Sequence, residues 1–144
     1  MLRKILGVIV AYVAMMILTF LFLTFYYNVL GADGVFDAGM YTPTFAWLGG
    51  AFVVTLLVTI IGGYLANLIG KAGTAKILAL VVIVLGLIMA VITIFFTPLK
   101  MPEARPAMIT MFEAIAKMQE PVWVCLVNPV VGAIGVLIGG SLKK

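Results

Sequence analysis

Histidine is absent from this chain, and its five carboxylates, Asp33, Asp37, Glu103, Glu113 and Glu120, fall in two stretches between long uncharged runs. Without histidine, the commonest general base, metal ligand and haem ligand are missing together. Asp33 and Asp37 sit in GADGVFDAGMYTP, a glycine-rich, turn-like segment that lacks the acid spacing of a calcium loop. Methionine offers a softer chemistry, because Met101, Met108, Met111 and Met118 crowd one connection and thioethers favour Cu(I). However, Met108, Met111 and Met118 belong to an apolar stripe at helical spacing, and no cysteine or histidine accompanies them. Cys125 is the single cysteine, which excludes an intrachain disulfide. No paired-carboxylate, metal-ligand or serine-triad pattern occurs. The expectation is no catalytic residue, no cofactor, no metal and no enzymatic activity.

Neutral polar residues are the remaining candidates. Thr55, Thr59 and Asn67 share one uncharged run and Asn128 lies in another, so together they could line a path for a small solute. They also belong to ridges of small residues. Ala51, Thr55, Thr59, Gly63 and Asn67 recur every four residues, and Asn128, Gly132, Gly135 and Gly139 include a G-x-x-x-G. Gly7, Ala11 and Ala14 form a shorter ridge in the first run, as do Gly86, Ala90 and Thr93 in the third. In lipid, helices associate by close approach over small side chains, because the tails are as apolar as leucine. Gly132, Gly135 and Gly139 with Ala51, Thr55, Thr59 and Gly63 are therefore the candidate seam. That seam serves either packing inside a bundle or contact with another membrane subunit or a second copy.

Positioning these residues is a task for membrane helices. Hydrophobic residues make up 65% of the chain and charged residues 10%, against about 25% charged in soluble domains. No charge falls between Lys4 and Asp33, Asp37 and Lys71, Lys76 and Lys100, or Glu120 and Lys143. Each gap exceeds the roughly 20 residues that cross a hydrocarbon core as a helix, and none shows a polar face. An all-α, four-transmembrane-helix bundle is expected, a single domain over 1–144 with spans near 5–26, 45–69, 77–96 and 122–142. The first run is longer than the roughly 7–15 residues of a signal-peptide core and lacks an A-x-A site, so it is expected to be an anchor. Asn128-Pro129 predicts a kink in the fourth span. In LKMPEARPAMITMFEAIAKMQEP, Pro106 suits a first helical turn. Met108, Met111, Phe112, Ile115 and Met118 then recur at helical spacing, with Glu113 and Lys117 on another side. An amphipathic interfacial helix is expected near 106–119.

Charge sets the orientation. With the N-terminus inside, Arg3, Lys4, Lys71, Lys76, Lys143 and Lys144 are cytoplasmic, six of the nine basic residues, and all five acids lie outside. Tyr26, Tyr27, Tyr41, Trp47 and Trp123 then share the outer interface, where amphipathic rings prefer to sit. The formal charge of +4 is spread over ends and loops, which argues against nucleic acid.

KILGVIV at 4–10 and KILALVV at 76–82 lie 72 residues apart, and PTFAW…IIGG and PVW…LIGG follow in the same order. Two hairpins of one orientation would form a parallel repeat. Duplication and convergent hairpin design both account for the likeness. From MLRKIL to GGSLKK, the chain resembles small four-helix bacterial membrane proteins with no assigned activity. The resemblance implies a bacterial cytoplasmic (inner) membrane and carries over no functional residue. The expected role is a structural or accessory subunit, in contact with the bilayer and with other membrane subunits or itself. The alternative is a small-solute channel or facilitator lined by Thr55, Thr59, Asn67 and Asn128. Intramembrane charges, which mark ion-coupled pathways, are missing.

The charge asymmetry predicts that both termini are cytoplasmic. A reporter active only in the periplasm should be silent when fused at Lys144 and active near Asp33; activity at Lys144 would overturn the orientation.

Overall fold

Long apolar runs dictate the architecture, because a chain in lipid must satisfy each backbone N–H and C=O within itself, and a helix does so locally. The computed structural model describes residues 1–96, 104–106 and 108–143. Its elements are α1 (Leu2–Val35), α2 (Phe45–Gly70), α3 (Thr74–Phe96), α4 (Met111–Lys117) and α5 (Val122–Leu142). Among the described residues there is no strand, only an isolated bridge between Phe36 and Pro43. α1, α2, α3 and α5 are long and apolar enough to cross a membrane, and the chain is a small membrane protein. Lys100, Met101, Glu103 and Lys144, counted above among the charges and thioethers, lie outside the described residues.

Two boundaries differ from expectation. α1 extends to Val35 instead of ending near residue 26, crossing a break at Gly31 (φ 66°, ψ 171°) before a last turn. The extension is held because Val35 and Phe36 are buried, 0% and 1% exposed, under the loop that follows. The interfacial helix occupies Met111–Lys117 instead of 106–119. Its start is set by a capping box: the Thr110 hydroxyl accepts from the Glu113 N–H, and the Glu113 carboxylate accepts from the Thr110 N–H. Pro106 therefore precedes the helix without opening it.

Helix packing follows the small residues. α1 packs along α2, α2 along α5 and α5 along α3, whereas α1 and α3 meet over only a short stretch. At the α2–α5 contact the backbones touch. A Cβ on Gly139 would collide with the Ile60 carbonyl, one on Gly63 with the Val136 carbonyl, and one on Gly135 with the Thr59 hydroxyl. Gly7 on α1 likewise lies where a Cβ would come within 2.8 Å of Gly70 Cα on α2. Gly86 on α3 makes room for the Pro129 ring on α5, whose Cγ would sit 2.5 Å from an added Cβ. Pro129 lies inside the helical span of α5.

At the end of the bundle carrying the termini, side chains satisfy helix-end groups that lack an intrahelical partner. Asn67 Nδ2 donates to the Gly140 carbonyl at 2.7 Å, in the last turn of α5. Asn67 Oδ1 accepts from the Ala75 N–H at 2.9 Å, in the first turn of α3. One amide thereby fastens three helices. Arg3 Nε donates to the Ile69 carbonyl at 2.9 Å, in the last turn of α2. The adjacent core contains Ala11, Met15, Val58, Ala66, Leu78, Ala133 and Val136.

The opposite, loop end is held by aromatics. Tyr26 stacks on Trp47 at 5.4 Å, Tyr27 meets the Trp47 edge at 6.4 Å, and Trp123 stacks on Phe52 at 5.9 Å. The Tyr26 hydroxyl donates to the Ala46 carbonyl (2.7 Å), and the Tyr27 hydroxyl donates to that of Ile109 (3.1 Å).

Gly139→Leu should destabilise the isolated protein by about 3 kcal/mol, the upper range for overpacking a well-packed interior. Gly49, whose added Cβ would meet nothing within 4 Å, supplies the control Gly49→Leu. Thermal unfolding in detergent checks this; equal stability of the two variants would contradict the packing described.

Candidate functional site

Because α1 and α3 attach to opposite flanks of the α2–α5 seam, nothing forces them together toward the loop end. They part there around a cavity of about 600 Å³. Its two side walls are helical stripes of identical spacing. α1 supplies Tyr12, Met15, Met16, Thr19, Phe20 and Leu23, and α3 supplies Val82, Leu85, Gly86, Met89, Ala90 and Thr93. The back wall is Thr55 and Thr59 of α2 with Cys125, Asn128, Pro129 and Gly132 of α5. Met111 and Ile115 of α4 cover the top. Met16 and Met89, on facing walls, are each 60% exposed, so the cavity is open between α1 and α3. Toward the termini it is floored by the core of Met15, Val58, Leu78 and Ala133.

The polar groups on these walls are neutral, and most are uncommitted. A threonine inside a helix commonly donates to a carbonyl one turn back, as Thr24 does to Phe20 at 2.7 Å and Thr59 to Thr55 at 2.7 Å. The side-chain hydroxyls of Thr19, Thr55, Thr93 and Tyr12 and the Asn128 side-chain amide make no hydrogen bond among the described residues, and all five line the cavity. Pro129 adds an acceptor. It has no N–H, so the Cys125 carbonyl lacks the donor that this helix position normally supplies. Among the described residues no Asp, Glu, Lys or Arg lines the space.

The residues singled out from sequence fall into separate places. Gly63, Gly135 and Gly139 are turned into the α2–α5 contact, so the ridges face inward and the seam is intramolecular. Gly132 lines the cavity, where its Cβ would sit 3.2 Å from Val82 Cγ1 and 3.6 Å from Thr59 Cγ2. Ala51 is half-buried and does not line the cavity. Of the four residues of the polar path, Thr55, Thr59 and Asn128 come together in the cavity. Asn67 lies beyond the floor with both ends of its amide engaged. Sequence reasoning passed over Tyr12, Thr19, Met15, Met16, Met89 and Cys125 as wall residues; hydroxyls at Thr19 and Thr93 in otherwise apolar runs were the available signal.

The roof is tied to the rest of the loop end. Phe112 of α4 packs on Phe20 of α1 at 6.0 Å, and Ala114 is fully buried. Lys117 lies over the Tyr41 ring, 5.5 Å from its centroid. Arg105, ahead of α4, has a side chain only 4% exposed, and its Nη2 donates to Asp33 Oδ1 at 2.6 Å. Its guanidinium covers Phe36 at 5.8 Å, and its backbone N–H donates to the Gly39 carbonyl at 3.0 Å. Asp33 is thus an ion-pair partner, and the first connection is a folded anchor. Among the described residues no cluster of His, Cys, Asp or Glu is placed to hold a metal ion. No known family, curated protein or solved structure matches the chain.

Hydrogen bonds from the Thr110 backbone and then its hydroxyl hold the Glu113 carboxyl below the ordinary value of 4.5. A lowered folded-state pKa means the capping contribution is complete above the unfolded value and is lost as pH falls through the lower, folded one. The Glu113 and Ala114 amide shifts should therefore titrate with a midpoint below 4.5, and Glu113→Gln should abolish that titration. A midpoint at or above 4.5 would contradict the capping box.

Proposed function

We propose that this chain is a non-catalytic accessory protein of the bacterial cytoplasmic membrane that holds an uncharged, lipid-soluble guest in its cavity. Both termini are cytoplasmic in this reading, the orientation to which the basic residues point, and the cavity then opens in the outer leaflet. One observation carries the proposal: about 600 Å³ of space, apolar-walled and open between α1 and α3. That volume falls within the roughly 300–1,000 Å³ of small-molecule pockets. It is small for a transmembrane helix, whose diameter with side chains is about 10–12 Å.

A partner seam through Gly135 and Gly139 has less support, since the α2–α5 contact already occupies both. Other membrane subunits would have to meet the large apolar side chains outside. A channel or facilitator reading draws on Thr55, Thr59 and Asn128 in the cavity. It needs a passage past the packed floor and past Asn67, which is bonded to Gly140 and Ala75. A pocket entered and left from one side fits the geometry better.

Filling the space tests the proposal. Hexadecane at about 100 times its Kd should stabilise the wild-type protein by about 2.7 kcal/mol. It should leave Thr93→Trp, in which an indole occupies the cavity, unmoved. Thermal unfolding reads the difference; hexadecane stabilising neither protein, or both alike, would overturn the binding role.

A further inference from the structure

Resting on that reading, we propose that the guest is a neutral amphiphile whose uncharged, oxygen-bearing head is bound inside the bundle by Asn128, Thr55 and the Cys125 carbonyl. Its hydrocarbon tail leaves between α1 and α3. Hydroxyl, ester and quinone-carbonyl heads share the required chemistry.

Three observations converge. First, the unsatisfied groups are concentrated in one place. Asn128 offers two donors and an acceptor, Thr55 a donor and acceptors, and the Cys125 carbonyl a further acceptor. Asn128 lies one turn from Gly132, whose Cβ would sit 4.0 Å from Thr55 Cγ2, so amide and hydroxyl share the back wall. A plain hydrocarbon would leave all of them unpaired in a low-dielectric setting. Second, the polar groups lie below the membrane surface. Asn128 is six residues into α5 and Thr55 ten into α2, which puts them about 9 and 15 Å beneath those helix ends. Third, the described lining holds no charge. An ionised head drawn to that depth would be desolvated without a counter-charge, so it would stay at the interface while a neutral head descends. The apolar remainder of the walls, Met15, Met16, Phe20, Leu23, Leu85 and Met89, suits a chain. Thioether side chains adapt to an irregular occupant.

The test compares hexadecane, 1,2-dioleoylglycerol, a decyl-substituted benzoquinone and dioleoylphosphatidylglycerol. Each is titrated against the full-length protein in detergent micelles, with the bound fraction read by native mass spectrometry. At least one of the two neutral headed probes should bind about tenfold tighter than hexadecane, the contribution of one or two neutral hydrogen bonds. Which of the two it is separates a glyceride head from a quinone. Phosphatidylglycerol should bind no better than hexadecane. The double variant Asn128→Leu, Thr55→Val should remove the headed probe's advantage over hexadecane. Hexadecane binding as tightly as both headed probes, or phosphatidylglycerol matching the tighter headed probe, would overturn the proposed head site and leave the cavity's binding role standing. No binding of any probe would overturn the binding role as well. The wild-type comparison decides the question even if the double variant does not fold.

Discussion

Close approach of the α2 and α5 backbones is the constraint on which the remaining structure depends. In a membrane no hydrophobic force draws one apolar helix to another, and association rests on contact and on hydrogen bonds. Gly63, Gly135 and Gly139 supply the contact by removing side chains where the Val136, Leu56 and Ile60 carbonyls approach. Asn67 supplies the hydrogen bonds by joining the tip of α2 to the ends of α5 and α3. A carbonyl lying against a glycine Cα also fits the weak Cα–H···O contacts that recur where helices touch. With this seam in place, α1 and α3 are carried on its two flanks, α1 through Gly7 against Gly70 and α3 through Gly86 against Pro129.

The cavity follows from that arrangement. Helices on opposite flanks converge only where side chains bridge them, and the bridging core of Ala11, Met15, Leu78 and Val136 sits toward the termini. Further along, α1 leans on the aromatic cluster and on α4, while α3 stays with α5. Five neutral polar groups in the resulting space make no hydrogen bond among the described residues. Elsewhere on α1 such groups are used: Thr24 and Asn28 both donate to carbonyls of their own helix. Polar groups left open on one surface, with no charge among them, describe a place for a neutral occupant. Arg105, its side chain 4% exposed, is paired at the loop end with an exposed Asp33.

The spans were legible because charge gaps longer than 20 residues are a one-dimensional signal, and the seam residues because small side chains recur every four positions. Which way the seam faced was not legible, since a ridge at four-residue spacing is equally suited to an internal neighbour and to a second protein. Asn67 illustrates the limit. Its spacing placed it with the threonines of a polar path, but its partners, Ala75 and Gly140, are set by how distant segments meet. The start of α4 was present as Thr110-x-x-Glu113, a capping box outweighed by Pro106, which looked like a first-turn residue. The cavity walls left the least trace, because α1 and α3 are apolar on every face and a stripe toward an internal space looks like a stripe toward lipid. Arg105 counted only as a loop charge, and its pairing with Asp33, 72 residues away, needed the fold.

Methionine methyl groups give the most direct reading of whether the cavity takes a guest. Met15, Met16, Met89 and Met111 line it, whereas Met1, Met40 and Met108 are exposed at other surfaces. In the wild-type protein carrying 13C-methyl methionine, titration with hexadecane in micelles should shift the first four resonances together, with one saturating midpoint, and leave the other three in place. Shifts spread evenly over all the methyls, or none that saturate, would show that the space between α1 and α3 holds no bound molecule.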